Sequence, residues 1–325
     1  MTAGRWTLPV VTFSCTLCWV LMAMFLPGNW PANENTYGLW QFVHILLPSI
    51  WMEYVVSFLL YGITGYFLIE LNNAFTIIRM RASVQTSIYF MLVTACPVMH
   101  LLYAGDIASV AFLISTYFLF KSYQEPKPTG FIFYSFLFIG IGSLVLPQFT
   151  FFTILWLISA YRFQALTLKS FCAALLGWSL PYWFLFGHAC YYQQIDLFYA
   201  PFIELANFEP VFRFEQMPLW EIATLGYLFV LYVSSSIHFM VAGFEDKIRT
   251  RAYLQFLAEI TFWLFIFIFL QPVHGINLLP MLLISVSILT AHLFVLTHSK
   301  TSNIFFISLM VILLLLFGLN IWTLL

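Results

Sequence analysis

NIFFISLMVILLLLFGLNIWT, residues 303–323, is an apolar run that contains no charged side chain. A helix of about 20 apolar residues is long enough to cross the hydrocarbon core of a bilayer, which is about 30 Å thick. The run lacks the two-residue alternation of an outer-membrane barrel strand, which is only about 10 residues long. The stretch therefore predicts a transmembrane helix.

Runs of this kind recur along the 325 residues, of which 62% are hydrophobic and 8% charged. A soluble domain carries about 25% charged residues, so this chain could not cover itself with a polar surface. We expect an all-α, polytopic transmembrane helical bundle that forms a single integral membrane domain over 1–325, with outer interfacial loops at 27–47 and 190–219. The eleven expected spans lie near 8–26, 48–69, 84–101, 107–120, 130–146, 149–161, 170–189, 220–242, 254–271, 277–297 and 303–323.

The basic residues predict the orientation of these spans. If the N-terminus is cytoplasmic, eleven of the twelve Lys and Arg residues fall in inner segments, and only Arg213 falls in an outer one. Cytoplasmic loops of membrane proteins carry such an excess of basic residues. The pattern therefore predicts a cytoplasmic N-terminus and a C-terminus on the outer side.

Histidine accompanies proline at several of the predicted outer helix ends. In ACPVMHLLYAGD (95–106) and LQPVHGIN (270–277), an apolar run ends at proline and a histidine follows within three residues. Proline leaves backbone carbonyl groups without their helical hydrogen bonds, and within a membrane, protein or water must supply new partners. We therefore expect a polar cavity open to the outside. Alternatively, these histidines only mark helix ends, where amphipathic side chains are common. The candidate binding residues are His44, His100, His188, His274 and Arg213.

Two acidic residues on the same side are candidates for catalysis. Glu53 lies about one turn inside the second predicted span, and Asp106 directly precedes the fourth. A charge at the bilayer centre costs about 3 kcal/mol, so an acid within a span is a functional candidate. Because Glu53 lies so close to the membrane surface, it could equally be a structural anchor of the helix end. For Glu259, in the ninth span, we expect a structural hydrogen bond. No HxxxH or HExxH pattern occurs, and no metal site is predicted.

Three functional classes remain open. The chain has no Gly-rich phosphate loop and no basic run, so we expect no cofactor and no nucleic-acid partner. The first class handles a lipid-linked or amphipathic substrate, such as a polyprenyl-phosphate-linked one. As an enzyme, it would be a transferase that takes a sugar from a lipid-linked donor, with a carboxylate as general base. The second class is a non-catalytic membrane component that binds a protein partner in an envelope or secretion complex. The third is a transporter of a neutral or lipid-like substrate.

Residues 70–186 resemble a family of uncharacterised polytopic inner-membrane proteins of Bacteroidota. The matching features are LNN at 71–73 after the second span, basic residues before the third, YRF at 161–163, and the G-x-x-x-P pattern of Gly177 and Pro181. The resemblance implies a bacterial cytoplasmic membrane whose outer side faces the periplasm. It implies no particular activity. We expect a role in cell-envelope biogenesis.

Overall fold

The structure, a computed structural model, describes residues 6–25, 40, 43, 46–47, 49–78, 83–208, 217–297 and 300–324. Over these residues the chain is helical and contains no strand. It forms two compact units. The first unit comprises Met1–Asn33, Glu53–Leu102 and Val211–Leu325, and the second comprises Glu34–Met52 and Tyr103–Pro210.

Twelve α-helices occur in the described parts of the chain, joined by turns and by short 3-10 helices. In chain order they are α1 (Thr7–Phe25), α2 (Ile50–Phe75), α3 (Ser83–Thr94), α4 (Ala104–Lys121), α5 (Thr129–Val145), α6 (Thr153–Arg162), α7 (Leu168–Tyr191), α8 (Asp196–Ala206), α9 (Leu219–Ala242), α10 (Ile248–Leu270), α11 (Gly275–Leu296) and α12 (Lys300–Leu324).

Each of the eleven predicted spans coincides with a helix, but the helices differ in length. Eight helical segments in the described chain are long and apolar enough to cross a membrane. The exceptions at predicted spans are α3, α5 and α6, with 12, 17 and 10 residues. Pro97 and Pro147 begin the 3-10 helices that follow α3 and α5, because proline lacks the N–H that would continue an α-helix. By length and composition, the chain is a helical multi-pass membrane protein.

The core of the first unit is α11, whose described residues are buried along its whole membrane-length segment. It packs against α3, α9 and α10. Its serine hydroxyls form hydrogen bonds within the helix. Ser285 Oγ donates to Met281 O (3.1 Å), and Ser287 Oγ donates to Ile284 O (2.7 Å). Polar side chains are therefore compatible with its buried position.

The second unit is held together by the close approach of α5 and α7. A Cβ at Gly140 would lie 2.5 Å from Trp178 O, and a Cβ at Gly177 would lie 2.5 Å from Phe133 O. Small residues allow two membrane helices to approach in this way. The Ser143 and Tyr182 hydroxyls, 2.9 Å apart, add a buried hydrogen bond between the same helices.

Helix α8 lies within the predicted outer loop 190–219. It exposes large apolar side chains, including Tyr199 (53%) and Ile203 (67%). The sequence did not predict this helix, because its apolar residues are interspersed with acids and a proline in a segment too short to span.

Candidate functional site

Polar side chains from several helices meet at one end of the first unit. Asn320, near the end of α12, donates from Nδ2 to Ala95 O (2.6 Å) and to Thr224 Oγ1 on α9 (3.3 Å). Cys96 Sγ lies 4.0 Å from the same threonine hydroxyl. Asn320 and Thr224 are both buried, so these hydrogen bonds join the helix ends inside the unit.

Glu221 lies one turn before Thr224, in the first turn of α9. Its side chain is only 6% exposed, and Oε1 has no hydrogen-bond partner. A Cβ at Gly275 would clash with Oε1, so the carboxylate rests against the backbone at the start of α11. Glycine at 275 leaves room for this oxygen, and a larger residue would displace the end of the Glu221 side chain. We define the polar end cluster as Cys96, Glu221, Thr224, Asn320 and residues 271–277.

The turn between α10 and α11 supplies further polar groups to the polar end cluster. Pro272 begins a 3-10 turn, in which His274 N donates to Gln271 O (3.2 Å). The side chains of Gln271, His274 and Asn277 are all buried. Proline therefore ends the long helix here, and the sequence places buried polar side chains beside the interrupted backbone.

An apolar groove with a volume of about 580 Å³ lies between α9 and α10 beside the polar end cluster. Ile268 belongs to its wall and also lies 3.6 Å from the Cβ position of Gly275, next to the Glu221 carboxylate. The groove is open at the surface, since Phe229 and Phe269 are about half exposed. Its other lining residues include Ile222, Leu225, Gly226 and Phe265, and all are apolar or glycine.

Three residues predicted from the sequence lie at this same end of the first unit. His274 belongs to the polar end cluster. Glu53 is partly buried one turn before Ser57, whose hydroxyl donates to Met99 O (3.3 Å) in the 3-10 turn that ends at His100. The proline-associated histidines at 100 and 274 therefore occupy neighbouring helix connections.

His100 is completely buried and stacks on Trp19, with ring centroids 3.7 Å apart. Neither ring nitrogen has a hydrogen-bond partner. His100 is therefore a packing residue between this turn and α1.

The other predicted residues lie elsewhere. Asp106 is buried at the start of α4, where Oδ2 accepts a hydrogen bond from Tyr103 N (2.8 Å), which is a helix-capping contact. His188 is exposed on α7, and its ring lies 4.6 Å from that of Tyr192. Both belong to the second unit. His44 and Arg213 lie outside the described residues. Catalysis by Glu53 or Asp106 stays a prediction.

The opposite end of the first unit contains a buried pair of hydrogen-bonded side chains, Asp246 and His292. His292 Nε2, near the end of α11, lies 3.0 Å from Asp246 Oδ2, and both side chains are at most 2% exposed. The His238 ring lies 6.0 Å from that of His292. Since 17 residues of α9 separate Glu221 from His238, the two ends are about 26 Å apart along the helix axis.

Two acidic groups at these ends were not singled out by the sequence. Glu221 could have been found from the sequence, because it lies in the first turn of an apolar span just as Glu53 does. The pairing of Asp246 with His292 could not, because 46 residues separate the partners. The hydrogen bond predicted for Glu259 is confirmed, with Gln255 Nε2 donating to its Oε1 (3.1 Å).

Comparison of the chain with family models, with curated proteins and with solved structures finds no match. The resemblance to Bacteroidota membrane proteins stays a prediction. Within the described residues, no group of three or more His, Cys, Asp or Glu side chains could hold a metal ion. A functional interpretation must therefore be built on the polar end cluster and its groove.

Proposed function

We propose that this chain is a bacterial inner-membrane protein of cell-envelope biogenesis that binds an amphiphilic lipid. The apolar part of the lipid lies in the groove between α9 and α10, and its head group lies at the polar end cluster, facing the periplasm. The site binds and positions the lipid. A transfer reaction on that lipid, or its movement across the bilayer, is a further possibility for the same site.

One observation carries the proposal, namely that a buried carboxylate adjoins an open apolar groove. Ile268 contributes to the groove wall and lies beside the Gly275–Glu221 contact. Ligand sites combine apolar walls with a few polar groups that fix orientation, and their volumes are about 300–1,000 Å³. A volume of about 580 Å³ falls within that range. An amphiphile matches both parts of the site.

The distribution of basic residues supports a periplasmic position for the polar end cluster. In the described part of the first unit, Lys and Arg occur at Lys247, Arg249, Arg251 and Lys300. All four lie at the other end, near the starts of α10 and α12. Under the positive-inside rule that end faces the cytoplasm, and Glu221 then lies near the opposite surface.

The second candidate is a membrane component of an envelope complex. The exposed apolar side chains of α8 favour it, because Tyr199 and Ile203 project from a short helix outside the predicted spans. Amphipathic helices of this kind also lie in the membrane interface. A protein partner would then be held by α8 rather than by the groove.

The test is to fill the groove. Gly226 lies in its wall, and a Cβ there meets no atom within 4 Å, so Gly226→Leu adds a side chain without a clash. We expect the lipid that copurifies in native nanodiscs to decrease about tenfold, measured by mass spectrometry of the intact complex.

Gly187→Leu on α7 is the matched control, because that position is equally open and lies in the second unit. It should retain the lipid at the level of the unaltered protein. Equal lipid content in the two variants would contradict the proposal.

A further inference from the structure

We infer that the head group of the bound lipid carries a primary ammonium, which the Glu221 carboxylate recognises. This inference rests on the proposed function, because it names the class of lipid held in the groove. The ligand is an amino lipid of the bilayer, with its hydrocarbon chain between α9 and α10.

The charge of the site favours an amine. Oε1 of Glu221 lacks a hydrogen-bond donor, and the described residues of the first unit place every Lys and Arg at the opposite end. In its ionised form the Glu221 carboxylate accepts hydrogen bonds only, and an ammonium offers three donors and the positive charge that keeps a buried acid ionised. An alcohol would donate one hydrogen bond but leave the charge uncompensated. A phosphate without an amine would place a second negative charge beside the first.

The burial of Glu221 explains why one acid can select a head group. Its side chain is 6% exposed, and apolar groups such as Ile268 stand beside it. Charge-assisted hydrogen bonds are stronger where water is excluded. Glu53, by contrast, is only partly buried, so a lipid ammonium there would gain less over its contact with water.

The position of the acid sets the part of the lipid that it contacts. Glu221 does not itself line the groove; its carboxylate lies against Gly275, beside Ile268 of the groove wall, at the end where α9 begins. Leu225 and Phe229 continue the wall along successive turns of α9. An amine at Glu221 therefore directs an attached chain along the groove towards the interior of the membrane.

The experiment uses the full chain in phosphatidylcholine nanodiscs and three photoreactive probes. The probes share one hexadecyl chain with a diazirine and end in an amine, an alcohol or a phosphate. Labelling of α9 and α10 is measured by peptide mass spectrometry. We expect the amine to label about tenfold more than the other two, because only it forms the ion pair.

The variants distinguish recognition of the head group from binding of the chain in the groove. Glu221→Gln should remove the preference for the amine, whereas Glu221→Asp, which keeps the charge, should retain a preference of the same sign. Glu259→Gln makes the same chemical change in the inner half of α10 and should retain the full preference. Gly226→Leu should reduce labelling by all three probes.

Two results would overturn the inference in different ways. If the amine and the alcohol label equally while Gly226→Leu blocks both, the groove binds lipid but Glu221 does not select an amine. If Gly226→Leu leaves the labelling by every probe unchanged, the groove is not the binding site, and the proposed function fails together with the inference.

Discussion

Each end of the first unit buries one acidic side chain, and the two acids have different surroundings. At one end, Asp246 Oδ2 and His292 Nε2 lie 3.0 Å apart and form a hydrogen bond. At the other, Glu221 Oε1 and both ring nitrogens of His100 are buried without hydrogen-bond partners. A buried pair can be explained by stability or by specific packing. A buried acid without a partner at Oε1 has no such explanation within the described chain and is therefore the better candidate for contact with a ligand.

Removal of one member of the buried pair should have the largest effect. Asp246→Ala leaves His292 buried without its carboxylate, and loss of one partner of a buried pair costs about 3 kcal/mol. The free energy of unfolding in detergent measures this loss. His292→Ala should cost a similar amount, and the double variant should cost less than the sum of the two.

An additive double variant would show that Asp246 and His292 act independently and would weaken the contrast between the two ends. Glu259→Gln serves as the control, because its carboxylate is only partly buried and accepts a hydrogen bond from Gln255 of the same helix. We expect its effect to stay within about 0.5 kcal/mol.

Glu221→Gln should have a smaller effect than either single change at the buried pair. The amide is nearly the same size as the carboxylate, and Oε1 has no donor to lose, so stability should stay within about 1 kcal/mol of the unaltered protein. The same unfolding measurement tests this. A loss as large as that of Asp246→Ala would mean that the Glu221 carboxylate has a stabilising partner and would remove the reason to assign it a ligand.

The sequence predicts the helices of this protein better than its contacts. Uninterrupted apolar runs such as 303–323 define helices because the bilayer demands them, and each predicted span coincides with one. Prolines 97 and 147 correctly mark ends, but the sequence does not reveal how short α3 and α6 become. Helix α8 is missed because its 11 residues include acids and a proline and are too few to span a membrane.

The candidate site could be predicted only in part from the sequence. The association of proline with histidine correctly draws attention to the turns at His100 and His274, which lie at one end of the first unit. It cannot distinguish Asp106, which bonds to the start of its own helix, from Glu221, which does not. That difference depends on the backbone beside each carboxylate: Asp106 accepts a hydrogen bond from Tyr103 N, whereas Glu221 lies against Gly275.

The burial of α11 has a consequence for how the protein is made. Three helices that pack against it, α3, α9 and α10, precede it in the chain, whereas α12 follows it and contacts Phe294. During synthesis the three preceding helices can therefore form a vacant slot before α11 leaves the ribosome, and α11 can pass from the translocon into protein rather than into lipid. Only α12 follows it among the described helices. The sequence of α11 would then be selected for packing against the three preceding helices more than for solubility in the bilayer. A buried histidine at 292 is compatible with such selection.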